Sequence, residues 1–211
     1  ITEKGIMPHN EDAMLINRQV LDNGSDEQTI NAPFILAVSD GVSGERSGEI
    51  ASVMSLEMIR ELRYDGDTPL EECIMEIHNK LADQSRSDPE THNMQATLCG
   101  IAVDENFNIK SFNVGDSRLY RFRQGKLKQI SRDQSLVQML YDEGSITLEE
   151  KKNHVHRNII FPVLGNLSAT PKPDIIELDS MEYGDVFLLC TDGLSDYVSP
   201  LDMTKNKFIL L

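Results

Sequence analysis

Residues 97–130 read TLCGIAVDENFNIKSFNVGDSRLYRFRQGKLKQI, a stretch that predicts four strands in immediate succession. The strands are expected at 97–103, 109–114, 119–122 and 127–130, and a Gln-Gly turn joins the last two in the pattern of a hairpin. No segment of helical length separates them. Strands that follow one another in this way favour antiparallel sheets, so the chain is predicted to have an α+β layered fold.

Two further apolar runs predict buried strands on either side of this series. Residues 33–38 read PFILAV and lead into Asp40-Gly41, and residues 186–190 read VFLLC and lead into Asp192-Gly193. A continuous apolar run of this length is typical of a strand that is covered on both faces.

Helices are predicted in pairs around these strands. Residues 49–64 contain no Gly or Pro, and a second helix is expected to begin with Thr68 as its N-cap, Pro69 at its first position and Glu71 completing a capping box. Apolar side chains then recur at helical spacing, at Leu70, Cys73, Ile74, Ile77 and Leu81. Residues 85–92 are polar and predict a loop.

The chain of 211 residues is expected to form a single domain, residues 1–211. Short helices are predicted at 135–141 and 148–152, within a segment, about 131–170, that lacks long apolar runs and is expected to form a small flap.

Composition excludes several classes of protein. The net charge of −15 would repel a phosphate-rich polymer, so nucleic acid is not expected as a partner. No apolar run approaches the roughly 20 residues that cross a bilayer. The first residues show no signal-peptide pattern. Three widely separated cysteines, Cys73, Cys99 and Cys190, favour buried thiols in a reducing compartment, so a cytoplasmic location is expected.

Acidic residues recur where predicted strands end. Asp40-Gly41, Gly115-Asp116 and Asp192-Gly193 each follow an apolar strand. Any one of these pairs is most simply a turn, because Asp and Gly both favour tight-turn geometry. Their recurrence is more informative, because carboxylates that converge from several strands repel one another unless a cation lies between them. Carboxylate and carbonyl oxygens are the ligands of Mg²⁺ and Mn²⁺. A calcium loop of the Asp-x-Asp-x-Asp-Gly type is not present in the sequence.

The sequence resembles the PPM family of metal-dependent protein phosphatases, the phosphatase 2C-like enzymes, in its bacterial form. The resemblance rests on six blocks in the family's order: GIMPHNEDA (5–13), VSDGVSGERSGEIAS (38–52), QATLC (95–99), VGDSRLY (114–120), ISRDQSL (130–136) and LLCTDGLSDYV (188–198). It implies an αββα sandwich, in which two antiparallel sheets pack face to face with helix pairs outside.

The resemblance also implies a binuclear Mg²⁺ or Mn²⁺ site. Asp40 resembles the carboxylate that bridges the two ions, and Asp192 resembles a ligand of one of them. The carbonyl of Gly41 resembles a ligand of the other ion, with Glu11 beside it. Asp12 resembles a ligand or an acceptor from bound water.

Asp116, together with Asp192, resembles the ligands of a third, weaker ion found in bacterial members. The activity implied is hydrolysis of phosphoserine and phosphothreonine by metal-activated water, with Asp40 and Asp192 as the catalytic residues. The substrates implied are phosphoproteins made by a Ser/Thr kinase. The alternative is a catalytically weak, phosphatase-like module that binds phosphoproteins or regulates a partner.

Departures from the family pattern motivate that alternative. Met7 stands where the family has a phosphate-binding Arg, and two interpretations are open: a vacated phosphate clamp, or a core residue. Residues 42–44 read VSG, without the His that some relatives carry. Residues 205–211 differ from the family's helix, and its last Asp has no counterpart, so the C-terminal end of the fold is expected to be incomplete. Arg118 is a candidate for substrate binding, against the alternative of a structural ion pair.

Overall fold

The computed structural model describes residues 1–42 and 46–205. The strands in these ranges are β1 (Asp12–Ile16), β2 (Gln19–Leu21), β3 (Phe34–Asp40), β4 (Leu98–Val103), β5 (Ile109–Val114), β6 (Arg118–Arg123), β7 (Lys126–Gln129), β8 (Asp174–Leu178) and β9 (Val186–Cys190). The α-helices are α1 (Arg46–Arg60), α2 (Leu70–Ser87), α3 (Leu136–Asp142), α4 (Leu148–Asn153), α5 (Asp192–Ser195) and α6 (Pro200–Lys205).

The strands form two antiparallel sheets, as the sequence predicts. The larger sheet has the order β2-β1-β3-β4-β5-β8, and the smaller has the order β7-β6-β9. Every pair of neighbouring strands runs antiparallel. Because β9 pairs with β6, the strand that leads into Asp192 lies beside the strand that follows Asp116.

Three apolar clusters fill the spaces between four layers. The first joins α1 and α2 to the larger sheet through side chains such as Leu56, Ile74 and Phe112. The second, with Cys99, Ile101 and Leu119 among its members, fills the space between the two sheets. In the third, Tyr120 and Cys190 of the smaller sheet pack against Met203 of α6. This arrangement is the sandwich that the sequence predicts.

Two helix boundaries differ from the sequence prediction. The first helix ends at Arg60 rather than near residue 64, and the second continues to Ser87, into the segment predicted to be a loop. Thr68 does not cap α2; its hydroxyl instead accepts a hydrogen bond from the backbone N–H of Asp65 at 3.3 Å and donates one to Asp65 Oδ1 at 2.8 Å. A capping box forms at α4, where Thr147 and Glu150 exchange side-chain and backbone hydrogen bonds.

The segment from 131 to 170 contains α3 and α4 and no strand. Ser135 caps α3 by accepting a hydrogen bond from the backbone N–H of Gln138 at 3.3 Å. None of the helices among the described residues combines the length and the apolar character that a membrane crossing requires.

Candidate metal centre

Strand pairing brings the first acidic residues together. In the register of β1 against β3, Asp12 lies opposite Asp40. The backbone N–H of Gly41 donates to the carbonyl of Glu11 at 3.1 Å, which places Glu11 beside the end of β3. Thr97 fixes the same end from β4, because its hydroxyl accepts a hydrogen bond from the backbone N–H of Asp40 at 3.0 Å. Asp12, Asp40 and Glu11 therefore meet at one edge of the larger sheet.

The smaller sheet contributes its acidic residues at the same place. Asp192 follows β9 and begins α5, and Thr191, just before it, donates its hydroxyl hydrogen to Asp12 Oδ2 at 2.9 Å. This hydrogen bond ties the end of the smaller sheet to the first strand of the larger one. Asp116 precedes β6, the strand that pairs with β9, so its carboxylate enters the same cluster.

The pKa of Asp40 shows how strongly the carboxylates interact. Burial and the charges of Asp12, Asp192, Asp116 and Glu11 raise the pKa of Asp40 to about 9. A carboxylate cannot be ionised there at neutral pH unless positive charge is supplied.

The pKa values of the neighbouring carboxyl groups are also raised. Burial and the charges of Asp192 and Glu11 raise the pKa of Asp12 to about 6, against the hydrogen bond from Thr191. Burial and the charges of Asp192 and Asp133 raise the pKa of Asp116 to about 6. Burial also raises the pKa of Asp192.

Two of the described basic side chains beside the cluster, Arg118 and Lys151, pair with a different carboxylate, Asp133. Arg118 donates from Nε and Nη2 to Asp133 at 2.9 and 2.7 Å, and Lys151 Nζ lies 3.3 Å from the same carboxylate. Arg118 thus forms an ion pair with Asp133, and its part in substrate binding stays a prediction. A divalent cation fits the remaining excess of carboxylate oxygens, which is the donor set that Mg²⁺ and Mn²⁺ prefer.

A cleft of about 760 Å³ opens over the cluster. Its floor includes Glu11, Asp40, Gly41, Asp116 and Asp192, and its walls come from residues 133–160 and 195–202. Within the described ranges, no three His, Cys, Asp or Glu side chains are arranged so that they could hold one ion by themselves. Backbone carbonyl and water oxygens are thus needed to complete the coordination of any ion.

The structure adds three residues that sequence reasoning missed. Asp133 and Lys151 line the cleft, and Thr191 orients Asp12. Asp133 lies inside the quoted ISRDQSL block and Thr191 inside the quoted LLCTDGLSDYV block, and these blocks are the signals that could have identified them. His9 also approaches the site, with Nε2 2.9 Å from Glu11 Oε1.

Met7 does not belong to the core. Its side chain is 62% exposed, so the core interpretation is wrong. Met7 is also not among the residues that line the cleft. Val42, at the position where some relatives carry the His, lines the cleft and is 39% exposed. The divergent residues 206–211 lie outside the described residues.

Gly41 is required for the packing of α1 against the end of β3. A Cβ at this position would lie 2.3 Å from the backbone C and O atoms of Gly48 in α1. The absence of a side chain thus lets α1 pass directly over the end of β3.

Replacing Gly41 by Ala is expected to destabilise the domain by about 1–3 kcal/mol, because two backbone segments would have to separate. Thermal melting provides the measurement. Gly193→Ala is the matched control from another Asp-Gly pair, since its nearest contact would be an ordinary 3.6 Å. Equal melting temperatures for the two variants would contradict the packing argument.

The chain is similar in sequence to known protein phosphatases. The family model described as Protein phosphatase 2C matches residues 22–209. Serine/threonine phosphatase stp of Listeria monocytogenes is 30% identical over 218 residues, which cover 97% of this chain and 80% of the relative. Serine/threonine protein phosphatase PstP of Mycobacterium tuberculosis is 35% identical over 172 residues, or 78% of this chain. The match spans only 32% of the length of PstP.

Solved structures agree with these sequence matches. The crystal structure of Mycobacterium tuberculosis PstP/Ppp superposes with a TM-score of 0.77 at 30% identity, covering 97% of this chain and 81% of that one. The catalytic domain of PstP in complex with 2 manganese ions gives a TM-score of 0.74 at 30% identity, covering 95% and 78%.

Proposed function

Since this chain belongs to the protein phosphatase 2C family, we propose that it is a metal-dependent phosphatase that hydrolyses phosphoserine and phosphothreonine in proteins. One observation carries the proposal: buried carboxylates from two sheets converge on Asp40 at the floor of a cleft, where burial and their mutual repulsion raise its pKa. The protein relatives are named Ser/Thr phosphatases, and one structural relative contains two manganese ions.

We propose that Asp40 bridges two Mg²⁺ or Mn²⁺ ions and that Asp192 binds one of them. The carbonyl of Gly41 and the carboxylate of Glu11 would serve the other, directly or through water. Asp12 is held by Thr191 through Oδ2, which leaves Oδ1 to accept a hydrogen bond or bind an ion. When bound, the ions activate water for attack on phosphorus and offset the charge of the phosphoryl group.

A cysteine nucleophile does not suit this cleft. Burial raises the pKa of Cys190 to about 11, and Cys99 is fully buried between the sheets. Both groups therefore remain thiols at neutral pH and do not attack phosphorus. Hydrolysis by activated water needs no such group.

Asp116 is proposed to bind a third, weaker ion together with Asp192. Asp116→Asn is accordingly expected to raise the Mn²⁺ concentration needed for half-maximal activity about tenfold, with a smaller change in the maximal rate. A metal titration of the phosphatase rate measures this. A loss of maximal rate as large as that of Asp40→Asn would contradict the assignment.

We also propose how the domain is organised and where its substrates come from. The chain is proposed to act as one catalytic domain, with residues 131–170 as a flap, because that segment forms a wall of the cleft. The substrates are proposed to be products of a Ser/Thr kinase in the cytoplasm.

Hydrolysis of p-nitrophenyl phosphate tests the proposed activity against the alternative of a phosphoprotein-binding module. The expected result is turnover that requires Mn²⁺ or Mg²⁺ and stops in EDTA. Binding of a phosphothreonine peptide without turnover at saturating metal would favour the binding module instead.

A further inference from the structure

Asp133 is a buried carboxylate that joins three elements at the wall of the cleft. Its residue is only 2% exposed. Arg118 of β6 donates two hydrogen bonds to it, Gln129 Nε2 of β7 donates to Oδ1 at 2.8 Å, and Lys151 of α4 lies 3.3 Å from Oδ2. Lys151 also donates to Gln138 Oε1 of α3, so both helices of the 131–170 segment connect to this carboxylate.

The group as a whole carries an excess positive charge. Burial would raise the pKa of Asp133, but the hydrogen bonds and charges of Arg118, Lys151 and Gln129 hold it below its ordinary value, so the carboxylate stays ionised. Two cations therefore share one anion. Arg118 and Lys151 both line the cleft whose floor holds Asp40 and Asp192.

Both cations keep donors that the network does not use. An ammonium group has three N–H donors, and Lys151 uses two of them, on Asp133 and Gln138. Arg118 has five N–H donors, of which two bind Asp133 and one reaches Tyr120 Oη at 3.4 Å.

We propose that Asp133 is a positioning residue that holds Arg118 and Lys151 as a cationic wall, and that Lys151 binds the phosphoryl group of the substrate. This inference rests on the proposed function and supplies a phosphate-binding group for a chain whose Met7 lies outside the cleft. A phosphoryl dianion between the wall and the ion-binding floor would receive charge-assisted hydrogen bonds from the wall.

Steady-state kinetics with a phosphothreonine peptide at saturating Mn²⁺ test the inference. Lys151→Met is expected to raise KM about tenfold and to change kcat less than about twofold, because the lost contact binds the ground state and the transition state alike. Lys151→Arg should restore most of the affinity. Lys80→Met is the matched control, because it removes the same charge from an exposed residue of α2 that does not line the cleft.

Asp133→Asn should also raise KM, because Lys151 would no longer be held in position to bind the phosphoryl group. The double variant with Lys151→Met is therefore expected to show less than the sum of the two single effects on KM. A purely structural Asp133 would lower the melting temperature and leave KM unchanged, which would overturn the inference. If Asp133→Asn fails to fold, the KM values of Lys151→Met and Lys151→Arg decide alone: an unchanged KM in Lys151→Met overturns it.

Failure of the proposed function is distinguishable from failure of this inference. If the unmodified chain shows no turnover, calorimetric titration of the Mn²⁺-loaded chain with inorganic phosphate replaces kinetics. Binding that weakens about tenfold in Lys151→Met and not in Lys80→Met supports the cationic wall even without catalysis. Equal phosphate binding by the unmodified chain and Lys151→Met overturns it.

Discussion

Asp40→Asn is expected to lower the metal-dependent rate of phosphate release about 10³-fold while raising the melting temperature of the metal-free domain. The rate falls because a bridging ligand serves both ions, whose charge stabilisation is worth several kcal/mol in the transition state. The metal-free domain gains stability because Asn is neutral without binding a proton, whereas Asp40 must be protonated in the folded state at a pH well above its pKa of about 4 in the unfolded chain.

In this variant the rate of phosphate release falls while the melting temperature in EDTA rises. That combination distinguishes a metal ligand from a residue that supports the fold. Phosphate release and thermal melting in EDTA are measured on the same preparation. Asp83→Asn is the control, because it removes the same charge from a side chain of α2 that is 76% exposed. A variant at position 40 that melts lower than the unmodified chain in EDTA would show that Asp40 supports the fold and not an ion.

Mn²⁺ is expected to raise the melting temperature by roughly 5–10 °C at a hundredfold excess over its dissociation constant. Binding to the folded state alone contributes about 2.7 kcal/mol under that condition, and 1 kcal/mol shifts the midpoint about 2–4 °C in a domain of this size. Cations relieve the repulsion among the carboxylates, which destabilises the metal-free folded state. Metal binding therefore raises the free energy of unfolding.

The metal effect should be larger at pH 7.5 than at pH 6. The pKa of Asp40 is about 9 in the folded domain and about 4 in the unfolded chain. The folded state therefore holds the extra proton, and the metal-free domain loses this contribution as the pH rises from about 4 towards 9. Asp12 and Asp116, each with a pKa of about 6, act in the same direction. Mn²⁺ binds the deprotonated carboxylates, so its stabilising effect on the folded domain is larger at the higher pH.

Melting curves with Mn²⁺ and with EDTA at the two pH values check this expectation. Asp40→Asn should show a much smaller metal effect and a weaker pH dependence. Coincident curves with and without metal at both pH values would mean that the carboxylates do not form an organised ion site.

Three strands were predictable because their sequences are continuous apolar runs, although only β4 is buried at every position. The runs at 33–38, 97–103 and 186–190 correspond to β3, β4 and β9. β2 has only three residues and carries no comparable signal, and β1 was visible only as the acidic block before it. β8 pairs at the sheet edge with β5, and its residues are mostly half-buried, so its apolar pattern is weak.

Long-range contacts account for what the sequence could not predict at the site. Acidic strand ends were recognisable from Asp-Gly pairs, but Thr191 reaches Asp12 across 179 positions of the chain. The role of Gly41 depends on how α1 crosses β3, which no local pattern specifies. Thr68 had the spacing of a capping box, yet the side chain of Asp65 competed for its hydroxyl.

Anomalous diffraction from crystals of the chain grown with Mn²⁺ tests the central claim most directly. We expect Mn²⁺ peaks at the floor of the cleft, with carboxylate oxygens of Asp40 in contact with two of them and Asp192 in contact with one. Crystals that show no Mn²⁺ at Asp40 when the metal is saturating, or Mn²⁺ bound only elsewhere on the acidic surface, would contradict it.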